Sequence, residues 1–168
     1  MLRFAAVLLL CGTCQSADAD TLKEVFGRGV LGVPWGASLT DVVGTYAQGD
    51  HVFAVTPGCR AYWVKDGQTF LAVPRERNGV LFGFDKHNRV AIITVAFPFE
   101  RKDELRATLT SVFGLPAVAN GNSPAQYYWR SLEGMSASVT EFGEADQRIV
   151  WLTITTPGYT SDKQACSE

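Results

Sequence analysis

The clearest pattern of apolar and polar positions lies in the middle of the chain. Two apolar runs, Val80–Phe84 and 89–97, flank residues 85–88, whose Asp and Asn side chains favour a turn. The apolar period then changes from that of a strand to that of a helix, which predicts a helix over 101–113 ending at Gly114. We therefore expect a β-hairpin followed by an amphipathic helix.

A shorter helical pattern lies closer to the N-terminus. Ser38 is a good N-cap, and Asp41 follows three residues later in the position of a capping box. The apolar residues of this segment recur at helical spacing: Leu39, Val42, Val43 and Tyr46. The pattern predicts a small helix that ends before Gly49.

Most of the remaining chain alternates like short strands. Asp66-Gly67, between the runs 61–64 and 69–73, is a typical hairpin signal. In the last third, Val150, Leu152 and Ile154 fall on one side of a predicted strand.

The order of these elements suggests a weak internal repeat of one helix followed by antiparallel strands. The two copies start near Trp35 and Phe99. Antiparallel strands with two helices on one face form an α+β fold, a two-layer sandwich. That is the fold class we expect.

The first residues read as a signal peptide. Arg3 is followed by the apolar run 4–10 and by Ala17-Asp18-Ala19, a small-x-small cleavage site. We expect residues 1–19 to be cleaved, 20–158 to form a single domain, and 159–168 to be a C-terminal tail. The protein would then be periplasmic, with a lipid anchor at Cys14 or Cys11 as the less favoured alternative.

Cleavage would leave two cysteines, Cys59 and Cys166. In an oxidising compartment the simplest interpretation is one disulfide that tethers the tail. A closed loop of about 100 residues could add roughly 4–5 kcal/mol in the chain-entropy model.

Charge and hydropathy exclude some classes of partner. The formal net charge is −2, and cleavage removes one residue of each sign, so no basic excess is present to bind nucleic acid. No second long apolar segment follows the first, so we expect no transmembrane segment in the mature chain.

The chain lacks a recognisable catalytic or metal motif. His51 and His87 fall on different elements, and we expect no metal and no cofactor. Cys59 beside a histidine could be a nucleophile, but the disulfide is favoured. Carboxylates that could act as acid and base fall in predicted turns or on polar strand faces, where solvation is the default: Asp66, Glu76, Glu133 and Glu141.

An aromatic set remains. The predicted strands carry Trp63, Tyr127, Trp129 and Trp151, with Arg130 and Arg148 as charges that could flank them. Tryptophan and tyrosine dominate binding hot spots because they bury a large area with few rotatable bonds. The competing interpretation is that these rings pack against the sheet's own rim.

Two segments carry a resemblance to known proteins. They are Gly36-Ala37-Ser38-Leu39-Thr40-Asp41-Val42-Val43, and Leu109 through Phe113-Gly114-Leu115-Pro116 with Trp129 on a following strand. The pattern resembles that of small exported bacterial α/β proteins of the β-lactamase-inhibitor-protein-like and outer-membrane-assembly-lipoprotein-like superfamily. The resemblance covers residues 32–157, and it implies a protein-binding module without catalytic residues.

Three functions follow in order of preference. The first is an exported module that binds another exported or envelope protein as an inhibitor, immunity protein or assembly adaptor. In this hypothesis Trp63, Trp129 and Trp151 act as anchors on the sheet face that the helices leave open. The second is a small-ligand carrier or sensor, and the third, a periplasmic hydrolase, is the least favoured.

Overall fold

The computed structural model describes residues 21–53, 60–65, 68–119, 126–144, 147–157 and 159. The predicted signal peptide, all four cysteines and Asp66-Gly67 lie outside the described residues, as does the predicted tail apart from Tyr159.

The described residues contain three α-helices and one 3₁₀ helix. They are α1 (Thr21–Phe26), α2 (Leu39–Thr45), the 3₁₀ helix (Phe99–Arg101) and α3 (Lys102–Phe113). Helix α2 begins with the predicted capping box, because the Ser38 hydroxyl accepts a hydrogen bond from the Asp41 N–H at 3.3 Å. In return, the Asp41 carboxylate accepts one from the Ser38 N–H at 2.8 Å.

Helix α3 confirms the predicted amphipathic pattern. It buries Leu105, Leu109 and Phe113 on one side. The helix ends at Gly114, whose φ of 78° is easily adopted only by a residue without a Cβ atom.

Twelve strands account for most of the remaining described chain. They are β1 (Gly29–Val30), β2 (Val33–Pro34), β3 (Gly49–Phe53), β4 (Arg60–Val64), β5 (Thr69–Phe70), β6 (Val73–Pro74), β7 (Val80–Phe84), β8 (Val90–Pro98), β9 (Ala117–Ala119), β10 (Gln126–Arg130), β11 (Ser136–Phe142) and β12 (Ile149–Thr155).

Eight of these strands form one antiparallel sheet in the order β3-β4-β7-β8-β12-β11-β10-β9. The first four follow α2 and the last four follow α3. The last strand of each group, β8 or β12, lies at the centre, where the two groups pair. The chain is therefore an α+β protein built mainly on one large antiparallel sheet.

One face of this sheet forms the core. Directly paired residues of antiparallel strands point to the same face. We call the face that forms the core the first face. On the central strands β8 and β12, three directly paired and buried sets of residues lie on it: Phe97–Val150, Val95–Leu152 and Ile93–Ile154. The buried side chains of all three α-helices belong to the same hydrophobic cluster.

The Asp66-Gly67 hairpin prediction is wrong about strand pairing. Strand β4 pairs with β3 and β7, whereas β5 pairs with β6 in a separate two-stranded hairpin. This small hairpin places Phe70 and Val73 in the main hydrophobic cluster. Burial of two apolar side chains outweighs the local preference of an Asp-Gly turn.

The β5–β6 hairpin has a close counterpart in β1–β2. The two turn residues are Leu71 and Ala72 in one, with φ of 50° and 65°, and Leu31 and Gly32 in the other, with φ of 56° and 78°. Both turns therefore need left-handed backbone at two positions, which suits the twist of a two-residue hairpin. Only the β1–β2 turn uses a glycine at one of these positions, Gly32.

Candidate binding face

Three of the five predicted binding residues lie on the sheet face opposite the core, which we call the second face. Trp63, Trp151 and Arg130 each alternate along their strands with residues of the first face, so their side chains point away from the core. The two tryptophans are partly exposed and Arg130 is exposed.

The other two predicted residues, Tyr127 and Trp129, lie on the first face, which corrects the expectation of a single shared surface. Trp129 pairs with the buried Ala137, is only 5% exposed, and donates its indole N–H to the Gly114 carbonyl oxygen at 2.8 Å. The Tyr127 hydroxyl accepts a hydrogen bond from Arg106 at 3.1 Å. These two rings therefore contribute to the core and its rim.

The pairing of β10 with β11 explains this division. Residues 127–129 are consecutive aromatics, so alternation must send them to different faces. The register puts Tyr128 on the second face, opposite Ser138, where it is 37% exposed. No local feature of the sequence shows which of these rings faces outward.

Trp63 and Trp151 form the two walls of a shallow cleft in the middle of the second face. Its lining residues are Trp63, Gly79, Leu81, Thr94, Ala96 and Trp151. The walls stand on β4 and β12, and the floor comes from β7, from Gly79 just before it, and from β8. Two intervening strands separate the wall backbones by roughly 14 Å at ordinary strand spacing.

The position of the Trp63 ring is set by a backbone bulge just before β7. Glu76 N–H donates to the Ala96 carbonyl oxygen at 2.9 Å, while Ala96 N–H donates to the Gly79 carbonyl oxygen at 2.6 Å. A single residue of β8 thus pairs with both ends of the segment 76–79. The Asn78 carbonyl oxygen of this segment accepts a hydrogen bond from the Trp63 indole N–H.

Gly79 is required for this bulge. A Cβ atom there would lie 2.6 Å from the Glu76 carbonyl oxygen and 2.9 Å from the Ala96 carbonyl oxygen. Both contacts are with backbone atoms, which cannot move without breaking the local pairing. The glycine therefore supports the Trp63 wall as well as contributing to the floor.

The Trp151 ring is supported from its other side. Phe142 on β11 lies against it, with ring centroids 4.4 Å apart and planes tilted by 34°. Phe142 is itself 46% exposed, so it extends the aromatic surface beyond the cleft. Both walls of the cleft are thus held in position by neighbouring groups.

Few charges lie on the second face. On the five central strands β4, β7, β8, β12 and β11, all of which are described, no residue of this face is charged. Of the two strands that flank them, β3 contributes Asp50, which lies directly opposite Trp63 and pairs with Lys65 at 2.6 Å, and β10 contributes Arg130. Hydroxyl side chains occupy part of the centre, including the hydrogen-bonded pair Thr94–Thr153 at 3.2 Å.

Titratable groups do not gather into a reactive cluster within the described ranges. No three His, Cys, Asp or Glu side chains there are close enough to hold a metal ion together. The pKa of Asp41 is lowered, mainly by the hydrogen bond from the Ser38 hydroxyl and next by the one from the Ser38 N–H. Helix capping therefore explains this shift. Burial raises the pKa of Tyr159.

Glu141, expected to be solvated, is instead a structural carboxylate. Its side chain is 12% exposed and pairs with Lys102 at 3.2 Å and with Arg148. The Arg148 guanidinium also lies 3.7 Å from the centroid of the Phe99 ring. These contacts connect the start of α3 to β11. Because Arg148 is engaged in them, it does not act as a charge that flanks the second face.

A second cleft lies between α1, the turn from β10 to β11 and the end of β12. Its lining residues are Lys23, Gly27, Trp35, Ser131, Glu133, Met135, Thr156 and Pro157. An ion pair of 2.5 Å joins Lys23 and Glu133 at this site. The cavity volume is about 210 Å³.

Comparisons of the chain with protein-family models, with curated proteins and with solved structures gave no match. Among the residues that the structure describes, no helix is long and apolar enough to cross a membrane.

Proposed function

We propose that this chain is an exported, periplasmic protein-binding module of the inhibitor, immunity or envelope-assembly adaptor type, and that it performs no catalysis. In this proposal the fold is a two-layer sandwich made from two helix-then-strands units. The helices cover the first face and the second face meets the partner. Export is inferred from the N-terminal signal pattern, and the proposed Cys59–Cys166 disulfide is what an oxidising compartment would favour.

The observation that carries the proposal is the aromatic and uncharged character of the second face. Trp63, Trp151, Phe142 and Tyr128 are all at least partly exposed there. The interiors of protein–protein interfaces are enriched in aromatic residues and depleted of charge. Single exposed apolar residues are normal on protein surfaces, whereas a larger apolar patch marks an interaction site. Here Trp151 is in contact with Phe142, and it lines the same cleft as Trp63.

The test is affinity capture from a periplasmic and outer-membrane extract of the host. The bait is the mature protein, compared with the double variant Trp63→Ala/Trp151→Ala after circular dichroism has shown that the variant is folded. The matched control is Leu115→Ala/Leu132→Ala, which removes apolar surface at two residues that are 88% and 85% exposed and outside the cleft.

The proposal expects a partner that binds the wild type and the control but not the cleft variant. Equal capture by all three proteins would place the interface elsewhere. Capture of nothing by any of them would contradict a protein-binding role in that compartment.

A small-ligand carrier or sensor is the second candidate, favoured by the cleft beside Lys23 and Glu133. Its cavity volume of about 210 Å³ is below the range of roughly 300–1,000 Å³ typical of small-molecule sites, so only a small ligand would fit. Thermal shift against a metabolite library tests this candidate. A ligand that stabilises the wild type and no longer stabilises Trp35→Ala would support it over the protein-binding role.

A further inference from the structure

We propose that Asn78 is a site of spontaneous deamidation in the folded protein, that the Trp63 indole promotes the reaction, and that the product displaces the Trp63 ring. This inference is independent of the proposed function. The reacting groups belong to the adjacent residues Asn78 and Gly79. Because glycine has no Cβ atom, its backbone nitrogen attacks the preceding side chain with less steric hindrance than that of other residues.

The Gly79 N–H lacks the hydrogen bond that regular strand pairing would give it. Two residues of a hydrogen-bonded antiparallel pair exchange both of their N–H···O bonds. Ala96 N–H donates to the Gly79 carbonyl oxygen at 2.6 Å, but the Ala96 carbonyl oxygen accepts at 2.9 Å from Glu76 N–H instead. Within the described ranges, no other acceptor takes the Gly79 N–H. No hydrogen bond therefore has to break before this nitrogen reacts.

The reaction needs only water and hydroxide, which reach Asn78 because this residue is exposed. Hydroxide removes the amide proton of Gly79, and the resulting nitrogen anion forms a bond to the Asn78 Cγ atom. The bond from Cγ to the side-chain nitrogen breaks, and that nitrogen takes a proton from water and leaves as ammonia. Water then opens the cyclic imide at either carbonyl group, which yields aspartate or isoaspartate. The overall change consumes one water and releases one ammonia.

Trp63 stabilises the charge that forms in the first step. The Asn78 carbonyl oxygen and the Gly79 nitrogen belong to one conjugated peptide group, so the negative charge left by the proton is shared with that oxygen. The same oxygen accepts the hydrogen bond from the Trp63 indole N–H. Hydrogen bonds to a charged acceptor are stronger than those to a neutral one, so a donor placed at this oxygen lowers the barrier.

Isoaspartate is incompatible with the bulge that positions Trp63. It extends the main chain by one methylene group between the Asn78 Cα atom and the Gly79 nitrogen. The bulge has no space for added atoms, because even a Cβ atom on Gly79 would lie 2.6 Å from the Glu76 carbonyl oxygen and 2.9 Å from that of Ala96. We therefore expect the product to disrupt the pairing with Ala96 and to displace the Trp63 ring.

The test incubates the purified protein in mildly alkaline buffer and follows its peptides by mass spectrometry that locates the change and separates aspartate from isoaspartate. We expect conversion at Asn78. Asn78→Gln should not convert at this position, because its longer side chain cannot close the same ring. In ¹⁵N-labelled protein, the indole N–H resonance of Trp63 should move as isoaspartate accumulates, and an unchanged resonance would overturn the expected displacement of the ring.

A second variant tests the role of the indole. Trp63→Phe keeps a ring but removes the donor, and we expect it to slow conversion of Asn78 in the folded protein about three- to tenfold, the factor that one hydrogen bond corresponds to. In concentrated urea the variant and the wild type should react equally. Asn120, in the other Asn-Gly pair of the sequence, should react equally in both folded proteins.

Two outcomes would overturn the proposal. Conversion of Asn78 in urea but not in the folded protein would mean that the fold protects this residue. A rate in folded Trp63→Phe that is unchanged or faster would mean that the indole does not promote the reaction. None of these measurements involves a partner, so the proposed function can fail or hold independently of them.

Discussion

Replacing single tryptophans with alanine should separate the two faces of the sheet. Trp129 is 5% exposed and its indole N–H is bonded to Gly114, so Trp129→Ala removes a buried ring and leaves a carbonyl without its partner. Truncation of a buried aromatic side chain costs roughly 3–5 kcal/mol. At about 2–4 °C for each kcal/mol, the melting temperature should fall by roughly 6–20 °C.

Trp151→Ala should cost less. Trp151 is partly exposed, and its main specific contact is the tilted ring pair with Phe142. An aromatic pair contributes about 0.5–1.5 kcal/mol beyond the area that it buries, and the buried part of the ring adds roughly 1–2 kcal/mol, so we expect a total loss of roughly 1.5–3.5 kcal/mol.

The assay is urea unfolding followed by far-ultraviolet circular dichroism, because loss of a tryptophan also changes the fluorescence signal. The dependence of unfolding free energy on urea should have the same slope in all variants. If Trp151→Ala destabilised the protein as much as Trp129→Ala, the second face would have to be covered by another part of the chain. The interpretation of that face as a binding surface would then be wrong.

Three further perturbations test local features. Gly32→Ala should lower the free energy of unfolding by about 1 kcal/mol and Ala72→Gly should leave it unchanged or raise it, because alanine is strained at left-handed φ. Because hydrogen bonds from Ser38 lower the pKa of Asp41 below its usual 3.8, the stability that it contributes is present above that value and is lost as pH falls through the lower folded value. Ser38→Ala should raise this pKa in a carboxyl NMR titration. Glu141→Gln should cost roughly 1–3 kcal/mol in urea unfolding, because it weakens two charge-assisted contacts of a largely buried group.

Each of these perturbations has a control or a contrary outcome. Gly44→Ala removes a helical glycine with a normal φ and no atom within 4 Å of the new Cβ, so it should not destabilise the protein as Gly32→Ala does. An unchanged Asp41 pKa in Ser38→Ala would contradict the capping explanation. Glu104→Gln breaks an ion pair whose side chains are 44–46% exposed, and it should cost less than about 1 kcal/mol. Equal losses in the two glutamine variants would mean that Glu141 is not structurally special.

The sequence by itself determined the elements whose signals are local. The cap of α2, the buried stripe of α3 and the buried face of β12 all follow from residues within a few positions of each other. Helix caps and the alternation of strands depend on nearby atoms, and therefore they can be read without knowing the rest of the fold. The α+β class follows from the order of these elements.

Pairing between distant segments decided the rest. Only the register of β10 on β11 sends Trp129 to the core and Tyr128 outward, since a shift of one residue would reverse the two. The bulge that positions Trp63 depends on Ala96, 33 positions away along the chain. The carboxylate of Glu141 is desolvated by contacts with Lys102 and Arg148, and its own strand pattern does not reveal them.

The candidate binding face shows the same division. The sequence supplied the tryptophans but not their grouping, because residues of β4, β7, β8 and β12 form one cleft only after the strands are placed in order. Strand order is set by burial of the shared core on the first face, which is a property of the whole chain. The sequence therefore determines which residues are available to the second face, and the tertiary structure determines how they are arranged on it.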